Sequence, residues 1–166
     1  MNLTERQQKV VDKLNELEIP FDIHFHPPIP TIEEALNYWK EFDSTHCKNL
    51  FFRNHKGNRH YLVIFDCMKQ LAIHDLEQRL KQGKLSFASE ARMEKYLGLK
   101  PGSVSPFGII NDEEHHVYLF IDKNLLKSER LNFHPNDNTA TCVISKDDLI
   151  KFLDTMGNGY EFIDLY

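Results

Sequence analysis

The chain has 166 residues, 41% of them hydrophobic and 27% charged, with a formal net charge of −5. That length fits one globular domain over residues 1–166, with enough chain to bury a core unaided by disulfides or metal. An acidic balance excludes strong sequence-independent binding to nucleic acid, which needs clustered Lys and Arg, though not brief contact with one RNA end through a few placed cations.

In chain order, Thr4 is a plausible N-cap, and Val10, Val11, Leu14 and Leu17 recur at helical spacing, so a first helix should stop before Pro20. No basic region followed by an apolar stretch opens the chain, so no signal peptide is expected, and no apolar run reaches the length of a membrane span. Phe21 to His26 alternates apolar and polar residues and reads as a half-buried strand. Pro27-Pro28-Ile29-Pro30 breaks regular structure, and Thr31 with Glu34 has the form of a capping box opening a helix to about Trp39.

Strands are expected around 49–53 and 60–66, joined by a turn over Asn54-His55-Lys56-Gly57-Asn58. Leu62-Val63-Ile64-Phe65 suggests a strand buried on both faces. Helices follow over roughly 75–82 and 89–97, the second running from Ser89 to Gly98. Residues 99–106 hold two prolines and a glycine and form no long element. Strands are then expected near 107–111 and 115–121 with Asn111-Asp112-Glu113-Glu114 as their turn, followed by a short helical segment after Asp122. A strand near 139–144, a helix from Ser145 to Gly157 and a closing strand over Tyr160–Ile163 complete the pattern. Without regular βαβ alternation, the expected fold is mixed α/β (α+β): a compact domain with a mostly antiparallel mixed sheet surrounded by helices.

The three cysteines, Cys47, Cys67 and Cys142, are widely spaced and suit a reduced cytoplasm, with no disulfide framework or zinc ribbon. Cys47 adjoins Lys48, which would lower a thiol pKa, but a lone cysteine without an evident base reads better as structural. Among nine histidines, His115-His116 beside three acidic residues reads as a solvated turn. His24 and His26 share a strand face without a third ligand, which fits a polar strand face better than metal. No Ser-His-Asp arrangement, G-x-S-x-G or Gly-rich phosphate loop is present. Three irregular polar segments beside apolar strands remain as site material: Lys48-Asn49, Gly102-Ser103-Val104-Ser105-Pro106, and Phe133 to Thr139 around His134. Read singly, the first is as well a strand-end lysine and the second a plain connector.

Their order carries more. His26-Pro27-Pro28, Thr31-Ile32-Glu33-Glu34-Ala35, Lys48-Asn49-Leu50-Phe51-Phe52, Leu97 through Gly108, and Phe133-His134-Pro135 with Asn138, Thr139 and Thr141 span nearly the whole chain. In that order they resemble the YbaK/prolyl-tRNA-synthetase-associated editing domain family, within it the free-standing ProX-type alanyl-tRNA(Pro) deacylases. The resemblance implies a strongly curved central sheet and hydrolysis of the ester of a mischarged tRNA, without metal or cofactor. It places Lys48 near the phosphate and ribose of the terminal adenosine, and matches Gly102 and Pro106 to the ends of a G-x-x-x-P loop. The backbone donors of that loop, through Ser103, Val104 and Ser105, would hold the ester and stabilise its developing oxyanion. His134 matches a pocket histidine that helps admit a small aminoacyl group, and Asn49 orients the lysine or the substrate. The attacking group would be a positioned water assisted by the substrate's ribose hydroxyl.

The implied substrate is Ala-tRNA(Pro), with Cys-tRNA(Pro) or another small-aminoacyl-tRNA as the alternative. Of a different class are a non-catalytic tRNA- or synthetase-binding module and a small-metabolite binder. The implied partner is the tRNA(Pro) acceptor end carrying a small mischarged amino acid, with prolyl-tRNA synthetase or an elongation factor as the candidate protein partner, and no membrane. Two stretches depart from the family pattern: an extra proline, Pro30, at the expected pocket rim, and Thr45-His46-Cys47 in place of small residues before Lys48. Where these residues reach the pocket they bear on aminoacyl selectivity.

Overall fold

The structure, a computed structural model, describes residues 2–28 and 43–166. The expected helix from Thr31 to Trp39, and Ile29-Pro30, lie outside the described residues.

Helix α1 (Glu5–Glu16) opens with a reciprocal cap: the Gln7 amide donates to Thr4 Oγ1 at 3.2 Å and the Thr4 amide to Gln7 Oε1 at 2.9 Å. The buried Gln7 also donates from Nε2 to Thr139 Oγ1 at 2.9 Å, tying the helix start to a loop far along the chain. Val10 and Leu14 bury the inner face, so caps and stripe act together as the sequence indicates.

The strands are β1 (Asp22–Phe25), β2 (Thr45–Asn54), β3 (His60–Asp66), β4 (Leu85–Phe87), β5 (Tyr118–Asp122), β6 (Arg130–Phe133), β7 (Ala140–Ser145) and β8 (Tyr160–Ile163). They form one sheet in the order β1-β7-β6-β2-β3-β5-β8, with β4 alongside β2. Pairs β1·β7, β6·β7, β2·β3 and β2·β4 are antiparallel. Pairs β2·β6, β3·β5 and β5·β8 are parallel. Helices α2 (Ile73–Leu80), α3 (Glu90–Leu97) and α4 (Lys146–Met156) complete the α+β arrangement. Ser89 and Ser145 cap α3 and α4 through their side chains, and each helix ends at a left-handed glycine, Gly98 or Gly157.

Period-two alternation sends side chains to two cores. One face of β2, β3 and β5 gives Phe51, Leu62, Ile64, Leu119 and Ile121 to a core closed by α1, α4 and Phe107. The opposite face gives Phe52, Val63, Phe65 and Phe120 to a second core under α2. The buried run of β3 reflects cover on both sides.

Three expectations change. Residues 106–111 form a 3₁₀ helix and no strand, because Pro106 starts the turn, Ser105 Oγ accepts the Phe107 amide at 3.0 Å, and Gly108 N donates to Ser105 O at 3.1 Å. A Cβ on Gly108 would sit 2.8 Å from Leu99 Cδ1, so this turn packs too closely on the end of α3 for a larger residue. The expected hairpin is therefore absent, and β5 pairs parallel with β3 and β8. Strands β4 and β6 were not expected. Finally, His115 is exposed in its turn, but His116 is half-buried, stacked on Tyr96 with ring centroids 4.4 Å apart. His116 Nε2 lies 2.9 Å from His60 Nδ1, while Arg92 donates to His60 Nε2 at 3.0 Å, so His60 carries its proton on Nδ1.

Candidate functional site

The site grows out of the pairing of β2. On one side β2 is bound to β3 from Cys47 to Arg53. On the other side its start, Thr45 and His46, pairs with β6, and its end, Phe52 to Asn54, pairs with β4. Between those partners the edge of β2 is left without a strand neighbour among the described residues. A cavity of about 420 Å³ occupies this split.

Its lining comes from separate parts of the chain. Lys48 and Asn49 come from β2, Gly102 and Val104 from the loop after α3, and His134 from the end of β6. His46, Cys47 and Cys67 also face it, and Phe87, Ala88 and Met93 close the end next to β4 and α3. Of the residues singled out from sequence, Lys48, Asn49, Gly102, Val104 and His134 are thus brought together. Ser103, Ser105 and Pro106, in the same loop, are buried and outside the lining.

Lys48 is half-buried and makes no ion pair with a described residue. Asn49 donates from Nδ2 to Cys47 O at 3.2 Å. Because a carbonyl only accepts, this fixes the amide and leaves Oδ1 as a buried acceptor with no donor among the described residues.

The 101–106 loop is fixed from behind. Ser105 Oγ donates to Asn136 Oδ1 at 3.0 Å, and Asn136 Nδ2 donates to Phe107 O at 3.3 Å. Asn136 itself takes a positive φ of 65°. Gly102 has a φ of 86°, a conformation glycine adopts without the Cβ penalty. Its amide and that of Val104 donate to no described backbone acceptor.

His134 Nδ1 lies 3.0 Å from Ala140 O, so the neutral ring carries its proton there and keeps a lone pair on Nε2. Burial holds its pKa below the usual histidine range, with nearby His26 acting the same way. His46 is pushed down to about 3, chiefly by burial, against the opposing hydrogen bond from Nδ1 to Asn132 Oδ1. Asn132 in turn donates to Ser44 Oγ at 2.7 Å. Burial raises the Cys47 thiol well above its ordinary value and Cys67 to about 11, so neither is a thiolate at neutral pH. Alternation sends the Cys47 and Lys48 side chains to opposite faces of β2, so adjacency in sequence does not activate Cys47. Among the described residues no group of three or more His, Cys, Asp or Glu side chains is arranged to hold a metal ion.

Cys67 and Phe87 were not picked out from sequence, and of the Thr45-His46-Cys47 stretch that departs from the family pattern His46 and Cys47 reach the cavity. His46 had a signal: extending β2 back to Thr45 places it two positions before Lys48, on the same face. Phe87 had none, because a strand of three residues leaves no periodicity to read.

Residues 26–152 match the family described as the aminoacyl-tRNA editing domain. The chain is 43% identical over 161 residues to the prolyl-tRNA editing protein ProX of Acetoanaerobium sticklandii, covering 97% of this chain and 98% of that one. It is 29% identical over 159 residues to the prolyl-tRNA synthetase associated domain-containing protein 1 of Mus musculus, covering 93% and 94%. A crystal structure solved as a candidate trans-editing enzyme for prolyl tRNA synthetase superposes with a TM-score of 0.74 at 19% identity, over 98% of this chain and 99% of that one. The chain belongs to the aminoacyl-tRNA editing domain family.

Proposed function

We propose that this protein is a trans-editing deacylase that hydrolyses the ester of mischarged tRNA(Pro), foremost Ala-tRNA(Pro). The observation that carries this reading is the one cavity in the split edge of β2, lined together by Lys48, Asn49, Gly102, Val104 and His134. A cation, a side-chain amide, loop amides and a neutral imidazole suit an aminoacylated nucleotide better than a plain apolar ligand. The relatives named for prolyl-tRNA editing give the tRNA.

In the reaction, water attacks the ester carbonyl carbon, the carbonyl oxygen takes up charge, and the ribose oxygen leaves as a hydroxyl. Lys48 holds the phosphate of the terminal nucleotide as a flexible point charge and does not attack. The amides of Gly102 and Val104 serve the developing oxyanion, whereas that of Ser103 is taken by Lys100 O at 3.1 Å; the effect grows in a site sheltered from water. Asn49, next to Lys48 in the cavity wall, orients the lysine or the substrate. His134, neutral and half-buried, closes the end that receives the small side chain. The ribose hydroxyl of the substrate assists the water, so no protein nucleophile is required, in keeping with the raised thiols of Cys47 and Cys67. The tRNA(Pro) acceptor end is the partner this pocket requires. Prolyl-tRNA synthetase or an elongation factor, in the cytoplasm, is the proposed source from which such a substrate arrives.

Deacylation of Ala-, Cys- and Pro-charged tRNA(Pro), with wild type and Lys48→Ala, tests this. The expected result is fastest cleavage of Ala-tRNA(Pro), intact Pro-tRNA(Pro), and a loss on the order of a hundredfold in the variant, as for other preorganised electrostatic contacts. Hydrolysis of none of the three would sink the enzyme reading, and binding without hydrolysis would make the chain a tRNA-binding module. Full activity of Lys48→Ala would remove Lys48 from the site, and faster cleavage of Cys-tRNA(Pro) would reassign the aminoacyl group.

A further inference from the structure

Among the described residues two large apolar side chains are exposed, Met68 and Phe87, the latter at 61%. Phe87 is no scattered surface residue, because it lines the cavity. It pairs with Phe52 in the β4·β2 register, and the two rings stack with centroids 4.7 Å apart and planes 28° apart. Phe52 is fully buried. One face of the Phe87 ring therefore rests on a fixed support while the ring stays largely open to solvent.

The backbone is held as well: the next residue, Ala88, donates its amide to Phe51 O at 2.9 Å. Phe87 is thus a preset aromatic surface, positioned before any ligand arrives. Alternation puts Phe52, Leu50 and Lys48 on one face of β2, and pairing puts Phe87 on that face too. Lys48 and Phe52 are four residues apart, roughly 13 Å along an extended strand. A cation and an open aromatic ring, facing the same way at two ends of one cavity, match the two ends of a nucleotide. His134 sits beside His46, with ring centroids 5.6 Å apart, at the start of β2, whereas Phe87 pairs with Phe52 near its other end.

Resting on the deacylase reading, we propose that Phe87 is the platform on which the terminal adenine base of the bound tRNA stacks, while Lys48 holds its phosphate. Every base offers a π-face, and stacking on an aromatic side chain contributes about ten- to a hundredfold in affinity. Such a contact positions the ester without reading the rest of the tRNA, which suits an acidic protein that grips only the acceptor end.

Two alanine-charged acceptor-stem RNAs test this, one with its terminal adenine and one abasic at that nucleotide, with the ribose kept. Each is given to wild type, Phe87→Ala and Phe87→Trp. In wild type and Phe87→Trp, base removal should raise KM about tenfold or more with little change in kcat. In Phe87→Ala the intact RNA should show that same loss, and base removal should add nothing. Comparing two RNAs on one variant separates stacking from any loosening around Phe52. Equal sensitivity to base removal in wild type and Phe87→Ala, or insensitivity in wild type, would overturn the proposal. If wild type cleaves neither RNA, the deacylase reading fails by itself. Binding of the two uncharged RNAs then decides the platform: a preference for the adenine-bearing RNA that Phe87→Ala abolishes supports it, and an unchanged preference overturns it.

Discussion

Three imidazoles cluster where His46 and His134 line the cavity and His26 is buried behind them, with His134 at 6.1 Å from His26 and 5.6 Å from His46 between ring centroids. Each sets Nδ1 against an oxygen, of Ala140, Pro27 or Asn132, and so takes the same tautomer when neutral. For His46 and His134 burial disfavours the charged form, and the consequence for stability has a definite sign. The unfolded chain takes up protons as the pH falls through about 6.5, whereas folded His46 resists to about 3. Stability from this group is complete above pH 6.5 and declines between 6.5 and about 3, by up to about 1.4 kcal/mol per pH unit. Thermal melts from pH 7 to 4.5 should show Tm falling, with a shallower fall in His46→Gln; an identical slope would mean that His46 titrates normally in the fold. A neutral His134 also predicts no inflection in kcat/KM between pH 6.5 and 8 from this ring, which a pH–rate profile checks.

At the scale of elements, the stretch of β2 without a strand neighbour among the described residues and the loop facing it frame the cavity. Gly102→Ala meets space, since the nearest atom to an added Cβ is Asn138 Nδ2 at 3.6 Å, but its φ of 86° imposes strain of about 1–2 kcal/mol. Relief of that strain turns the loop amides, so activity should fall tenfold or more while the melting temperature drops only a few degrees. Ser105→Ala acts from behind: it removes the acceptor for Phe107 N and the donor to Asn136, both buried. Urea unfolding should register a loss of about 1–3 kcal/mol. The helices with side-chain caps were legible because their stop and start signals lie within a few residues. Ser89 with Gly98, and Ser145 with Gly157, bracket α3 and α4 as the sequence indicates. Phe107-Gly108-Ile109-Ile110 was not legible, since an apolar run buried all round fits a strand or a tight helix equally, and the contact with Leu99 selects the latter.

Across the whole molecule, β5 is the strand that joins β3 to the last strand, β8, and a buried polar node fixes it. Asp112 Oδ2 accepts the Val117 amide at 2.8 Å and Asn158 Nδ2 at 2.9 Å, and Asn158 also reaches Val117 O at 2.8 Å. Asn158→Ala strips two of these contacts and leaves a buried carboxylate short of a donor, at a cost of about 2 kcal/mol by denaturant unfolding. The node lies outside the cavity lining, so kcat/KM well below the melting temperature should stay at the wild-type value. A matching fall in kcat/KM would tie the β5·β8 region to the site.

The amino-acid order alone determined the chemistry available: a lysine heading an apolar strand, a glycine–proline loop, a histidine before proline, and no Ser-His-Asp or G-x-S-x-G pattern. It also determined the capped helix ends and the β2·β3 hairpin, since caps and turns are set by contacts a few residues apart. The tertiary structure decided the parallel pairings, the 3₁₀ turn at Pro106 and the exposed stack of Phe87 on Phe52. It also decided that β2 has different partners at its two ends and a cavity between them. Those features rest on pairing between segments tens of residues apart, such as Thr45 with Leu131, and no local pattern encodes which distant strand leaves an edge open.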